Sequence, residues 1–173
     1  MDSLSYEILQ NWQVRKTKAQ KLAFIEMMQS RLPGLRVEEG GFPRCRNLVL
    51  GDPETAKVVF TAHYDTCARL PFPTFITPKN FLLYLGYNLL ILLPFFALMA
   101  LLTRLLVPAL DVLGFQLSLW IPCLLMIYLF ILGPANPHTV NDNTSGVLTL
   151  VEIIRSLSEE ERSQLCFVFF DHE

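Results

Sequence analysis

Three short polar clusters, each at the edge of an apolar run, hold the residues that could do chemistry: His63 with Asp65, Asp142 with Asn143, and Asp171, His172 and Glu173. In a strand, residues two apart share a face, so His63 and Asp65 stand side by side. Asp65 can then accept from one imidazole nitrogen and leave the other for a metal ion, or the two can form a purely structural pair. Asp142 stands where a helix should begin, and a carboxylate there either caps the helix or bridges metal ions. Glu173 suits a general base that takes a proton from metal-bound water, or is a surface charge. His138 sits in a Pro-rich loop and reads as solvated or capping, and His172 would face away from Glu173 in an extended strand.

Elements of α/β character must carry these clusters. Residues 3–31 read as one helical stretch, with Leu22, Ile25 and Met28 on an apolar stripe beside the solvated charges Arg15, Lys16, Lys18 and Lys21; Pro33 and Gly34 end it. Residues 46–50 and 57–61 are β-branched and aromatic runs around the turn Gly51 to Glu54, which predicts a hairpin or two adjacent strands. His63 follows directly, and a polar cluster at the end of an apolar strand is where α/β proteins place their chemistry. Beyond Asp142, the residues Val147, Leu150, Val151 and Ile154 predict a helix to about Leu157. Glu159 to Glu161 form a solvated connection, and residues 166–170 a buried, central strand. Strand, crossover, helix and strand imply an α/β domain with a largely parallel core.

Between the first and second clusters the sequence changes solvent. Over the whole chain 52% of residues are hydrophobic. Residues 81–102 and 112–133 carry no charge, and each is long enough to cross about 30 Å of hydrocarbon as a helix. The connection from Thr103 to Asp111 is short enough to force an antiparallel transmembrane hairpin, which returns both flanks to one side. No secretory signal is evident in the first residues, and 11 of the 14 Lys and Arg precede residue 80. That bias places the flanking domains in the cytoplasm. The expected division is 1–80, first part of the catalytic domain; 81–133, hairpin; and 134–173, continuation. Cys45, Cys67, Cys123 and Cys166 show no paired spacing and read as reduced packing residues. A net charge of −2 gives no nucleic-acid signal, and nothing in the chain fixes an oligomeric state.

Taken in order, the clusters resemble the di-zinc aminopeptidase family, the group of bacterial leucyl aminopeptidases and glutamate carboxypeptidases. The likeness rests on the segments VVFTAHYDT and NDNTSGVLTLVEIIRSL and on the strand that runs into Glu173, and it covers most of residues 1–80 and 134–173. It implies a zinc-peptidase-type sheet flanked by helices and interrupted by the hairpin. It also implies two Zn2+ ions, with His63 as first-zinc ligand, Asp65 as its orienter, Asp142 as the bridge and Glu173 as the base. The activity implied is amide hydrolysis, removal of an amino-terminal residue from a peptide substrate, at a membrane-lipid anchor. The family's second Glu and its later Asp and His ligands have no counterpart here, so the chain as given is expected to be a truncated fragment that binds zinc poorly and hydrolyses little. The alternative is a non-catalytic, membrane-anchored interaction domain that keeps the peptidase fold.

Overall fold

A computed structural model describes residues 3–40, 45–72 and 79–171. The chain divides into two compact units, Met1–Cys67 with Ala135–Glu173, and Ala68–Pro134.

The first unit opens with two helices instead of the single one expected, α1 (Ser3–Asn11) and α2 (Lys18–Arg31). A reciprocal cap starts the second: Gln20 N donates to Thr17 Oγ1 and Thr17 N to Gln20 Oε1. Two otherwise orphaned donors are satisfied together, which makes Thr17 a helix start rather than a helix interior. Trp12 to Lys16 are thereby released to cross the domain as an irregular segment. The buried face of the pair is Leu4, Ile8, Phe24, Ile25, Met27 and Met28, whereas Leu22 is left exposed.

Four strands form one mixed sheet: β1 (Arg36–Gly40), β2 (Cys45–Leu50), β3 (Val58–His63) and β4 (Leu165–Phe170), in the order β1-β2-β4-β3. The expected adjacency of β2 and β3 does not occur, because β4 lies between them. Strand β4 is antiparallel to β2 and parallel to β3, so the sheet is not largely parallel; β3 and β4 make its one parallel pair. Burial explains the order. Cys166, Phe167, Val168 and Phe169 are all buried, and a strand apolar on both faces belongs in the middle. Val58 and Val59 are exposed, which suits β3 to the edge. The edge strands are therefore β1 and β3, and β4 is central as expected.

The turn before β3 is built for this crossing. Gly51 has φ +96°, and a side chain there would strike the backbone of Leu165. Asp52 accepts from Glu54 N (3.0 Å) and from Thr55 Oγ1 (3.0 Å). The chain is thus delivered past β4, and Lys57 N pairs with Gln164 O at 2.8 Å.

Helix α4 (Ser145–Ser156) buries Val147, Leu150, Val151 and Ile154, the stripe its sequence predicts, in the cluster that holds Phe24, Phe167 and Phe169. The solvated connection after it contains a short helix, α5 (Glu159–Arg162). Cys166 and Val168 point the other way, into a small cluster with Val49.

The second unit is mostly one helix, α3 (Phe81–Ile127), extended by a wider turn at Tyr128–Leu132. Phe81–Leu132 is long and apolar enough to cross a membrane. The expected break from Thr103 to Asp111 is helical as far as Leu110, and Asp111 alone leaves helical geometry (φ 49°, ψ −123°). Stretches on either side of Asp111 lie against each other. Thr103 Oγ1 and Ser118 Oγ are 2.9 Å apart, and the rings of Phe95 and Phe130 are 6.3 Å apart. The residues buried in α3 are Gly114, Ser118 and Pro122, and a side chain at Gly114 would strike the backbone of Leu106. Small residues at such a seam let backbones approach closely. The ends of the unit meet where Arg69 N donates to Pro134 O at 2.7 Å.

Truncation of either fully buried core ring, Phe167→Ala or Phe169→Ala, is expected to cost about 3–5 kcal/mol. Phe170→Ala, on the half-exposed last position of β4, should cost far less. Denaturant unfolding of the purified variants checks the difference; equal losses at the three positions would contradict the assigned faces.

Candidate metal centre

Parallel pairing places His63 directly across from Phe170, with Tyr64 N donating to Phe170 O at 2.9 Å. The chain leaves β3 and β4 at the same end of the strands. His63 is mostly buried. Its Nδ1 lies 3.3 Å from Asp65 Oδ1 and its Nε2 lies 3.2 Å from Asp142 Oδ1. The first two sequence clusters, 79 residues apart, therefore meet on one imidazole. Asp65 is as buried as His63, whereas half of the Asp142 side chain is open to solvent.

Asp142 is not the residue that caps α4. It lies in the turn Val140–Thr144 with extended-type backbone, and the peptide joining it to Asn143 is cis. Asn143 does the capping: its Oδ1 accepts from Gly146 N at 3.1 Å while its Nδ2 donates to His63 O at 3.4 Å. One carboxamide thus links the start of the helix to the end of β3 and leaves the Asp142 carboxylate free to face His63. A side chain at Gly146 would collide with that carboxamide.

The third cluster divides. Asp171 is buried, and its carboxylate is taken by Lys21 Nζ (2.6 Å) and Arg46 N (2.9 Å), so it holds α2 and β2 to the end of β4. His172 and Glu173, the proposed base, lie outside the described residues. His138 is exposed in its loop, where its backbone N donates to Asn136 Oδ1.

Several neighbours were not singled out by sequence. Cys67 Sγ lies 3.6 Å from Asp142 Oδ2 and accepts from Asn136 Nδ2 at 3.8 Å. Burial, more than the nearby Asp142 charge, pushes its thiol above the ordinary range. All four cysteines are free, although Cys67 and Cys123 are exposed and only Cys166 is fully buried. Tyr64 stacks on Phe24, and its hydroxyl donates to Arg46 O at 2.9 Å. Burial, and then the charge of Asp171, keeps that phenol protonated well beyond its usual range.

Arg15 was expected on a solvated face and is instead wholly buried. Its Nε donates to Tyr64 O, its Nη1 to Trp12 O and its Nη2 to Thr144 Oγ1 (3.2 Å). The guanidinium also lies 5.0 Å from the centroid of Phe24. Burial pulls its pKa down to about 10, partly offset by the Asp65 carboxylate, so the cation persists at neutral pH. The charge pattern gave no warning, because an isolated Arg among lysines reads as surface.

Among the described residues no group of three or more His, Cys, Asp or Glu is arranged to hold a metal ion. No family model matches the chain, and neither a curated protein nor a solved structure matches it. The class that can be stated is a mixed α/β unit on one four-stranded sheet, with a second unit built on a long apolar helix.

A helical Gly→Ala change ordinarily stabilises by about 0.5–1 kcal/mol. At Gly146 the opposite sign is expected, because the new methyl displaces the Asn143 carboxamide from both of its partners. A thermal midpoint that rises in Gly146→Ala would remove Asn143 from this role.

Proposed function

We propose that the chain is part of a membrane-anchored, zinc-dependent peptidase of the aminopeptidase type. The observation that carries the reading is the His63 imidazole held between Asp65 at Nδ1 and Asp142 at Nε2. Asp65 Oδ1, 3.3 Å from Nδ1, is near enough that a hydrogen bond drawn in there would orient the ring and favour the tautomer whose Nε2 lone pair faces Asp142. Two ligands of one tetrahedral zinc, bonded at about 2.0–2.1 Å, stand about 3.3 Å apart. The 3.2 Å between Nε2 and Asp142 Oδ1 fits that edge. It fits a shared proton as well, so metal uptake is the deciding measurement.

His63 and Asp142 would hold the metal. Bound zinc supplies a polarised scissile carbonyl and a water acidified enough to attack near neutral pH. Glu173, at the end of the given sequence, would serve as the base that takes a proton from water and passes it to the leaving amine. Substrates are peptides with a free amino terminus; neither the charge nor the fold suggests nucleic acid.

The long apolar helix is read as two membrane spans that reverse at Asp111, with the flanking unit cytoplasmic. Support comes from the charge-free stretches on either side of Asp111 and from the buried Gly114, Ser118 and Pro122 seam between them.

The first test uses the detergent-solubilised protein, carrying whatever native sequence follows Glu173. Expected are about two zinc ions per chain, with His63→Ala and Asp142→Ala each reducing uptake and abolishing aminopeptidase activity. A protein that takes up no zinc is not a peptidase of this kind, and the interaction-domain alternative then stands. Topology has its own test. In a cysteine-free background, Leu110→Cys should react with an impermeant maleimide in intact cells and Ser163→Cys only after lysis. Identical labelling of both would refute two spans.

A further inference from the structure

The Trp12–Arg15 segment joins the loop after β3 to the loop before α4. On the first side, Arg15 N donates to Thr66 Oγ1 (2.8 Å), Thr66 N donates to Arg15 O (3.2 Å), and the guanidinium takes the carbonyl of Tyr64, the residue between His63 and Asp65. On the second, Thr139 Oγ1 donates to Gln13 O (2.8 Å) and lies 2.8 Å from Thr144 Oγ1, which also accepts from Arg15 Nη2. Thr144 is two residues past Asp142. Every polar side chain in this chain of contacts, Arg15, Thr66, Thr139 and Thr144, is buried. One side chain therefore grips both loops of the candidate centre from behind.

We infer that Arg15 is a positioning residue that sets the spacing of His63 and Asp142 by tying the Tyr64 carbonyl to the Thr144 hydroxyl. The inference rests on the metal-centre reading above. A planar fork is what the task requires, since donors on three separate nitrogens point at acceptors on three chain segments at once; the three donors of a lysine ammonium radiate from one atom and do not span the same acceptors. The bond to Thr144 is the link between the loops, and the bond to Trp12 O anchors the fork in its own segment.

The test compares Arg15→Lys and Thr144→Val with the unaltered protein, carried through its native downstream sequence. Cobalt(II) is the probe, titrated against a chelator and followed by its visible spectrum. Thermal unfolding is recorded on the metal-free protein. Loss of an outer partner that orients metal ligands commonly costs about 10–100-fold in affinity, and that loss is expected in both variants, with an altered spectrum. Metal-free midpoints should stay within a few degrees of the unaltered protein for Thr144→Val. The double variant should bind no more weakly than the weaker single one, because both changes break the same link.

A folded Arg15→Lys or Thr144→Val that binds cobalt with unaltered affinity and spectrum overturns the inference. So does a fall in affinity fully matched by a fall in midpoint, which would make the role one of stability only. Where Arg15→Lys does not fold, Thr144→Val decides alone. If the unaltered protein itself takes up no cobalt or zinc, the metal-centre reading fails and this inference with it; uptake that neither variant weakens defeats this inference alone.

Discussion

The parallel pairing of β3 with β4 is the constraint on which the rest of the site depends. Its register sets His63 opposite Phe170 and ends both strands on the same side. A parallel pair cannot be closed by a tight turn and needs a long crossover. Here the crossover contains the whole second unit and then α4. The crossover helix returns along the sheet and buries Val147, Leu150, Val151 and Ile154 with Phe167 and Phe169. That packing brings the turn ahead of α4 to the edge where His63 waits, and Asp142 is in that turn.

A long insertion inside the crossover is tolerable only if it does not pull the site apart. Within the first unit, Asn136 N donates to Cys67 O at 3.1 Å, four residues past His63 and six before Asp142. Within the second, Arg69 N and Pro134 O make the matching bond. Each unit thus closes its own ends. The first unit thereby brings its two strands of chain together just outside the His63–Asp142 pair.

The parts of this arrangement legible in sequence were those with a period or a motif. The α4 stripe repeats at helical spacing, and the burial follows it residue for residue. His63 and Asp65 do meet, although β3 ends at His63 and Asp65 lies beyond it, and Asp142 follows the crossover as a polar residue just ahead of a helix start. What misled was local chemistry with two readings. Gly51 to Glu54 is turn chemistry, and a turn between two strands suggests a hairpin. Only the double-sided burial of β4 shows that the turn serves a crossing. Similarly, Thr17 and Gln20 form a capping box inside what reads as a continuous helix. Missing it hid the Trp12–Lys16 segment and, with it, the burial of Arg15. A buried cation has no signature in a single sequence, since its partners are a carbonyl and a hydroxyl from segments 49 and 129 residues away.

That burial has an energetic logic. An isolated buried ion costs several kcal/mol even after relaxation. Hydrogen bonds involving a charged group are worth about 1.5–3 kcal/mol each, so the acceptors from Trp12, Tyr64 and Thr144 roughly offset the cost. The Phe24 face and the Asp65 charge add to the balance. Net stability gained is therefore small, and what the arrangement secures is geometry. A ligand that had to draw together two loops 79 residues apart in a flexible chain would spend about 4 kcal/mol on closure alone. Here the closure is made by β3–β4 pairing, by the Cys67–Asn136 bond and by the guanidinium, before any ligand arrives. An ion held by His63 and Asp142, as proposed, would meet two side chains already 3.2 Å apart, and little of its binding free energy would be needed to fold the site.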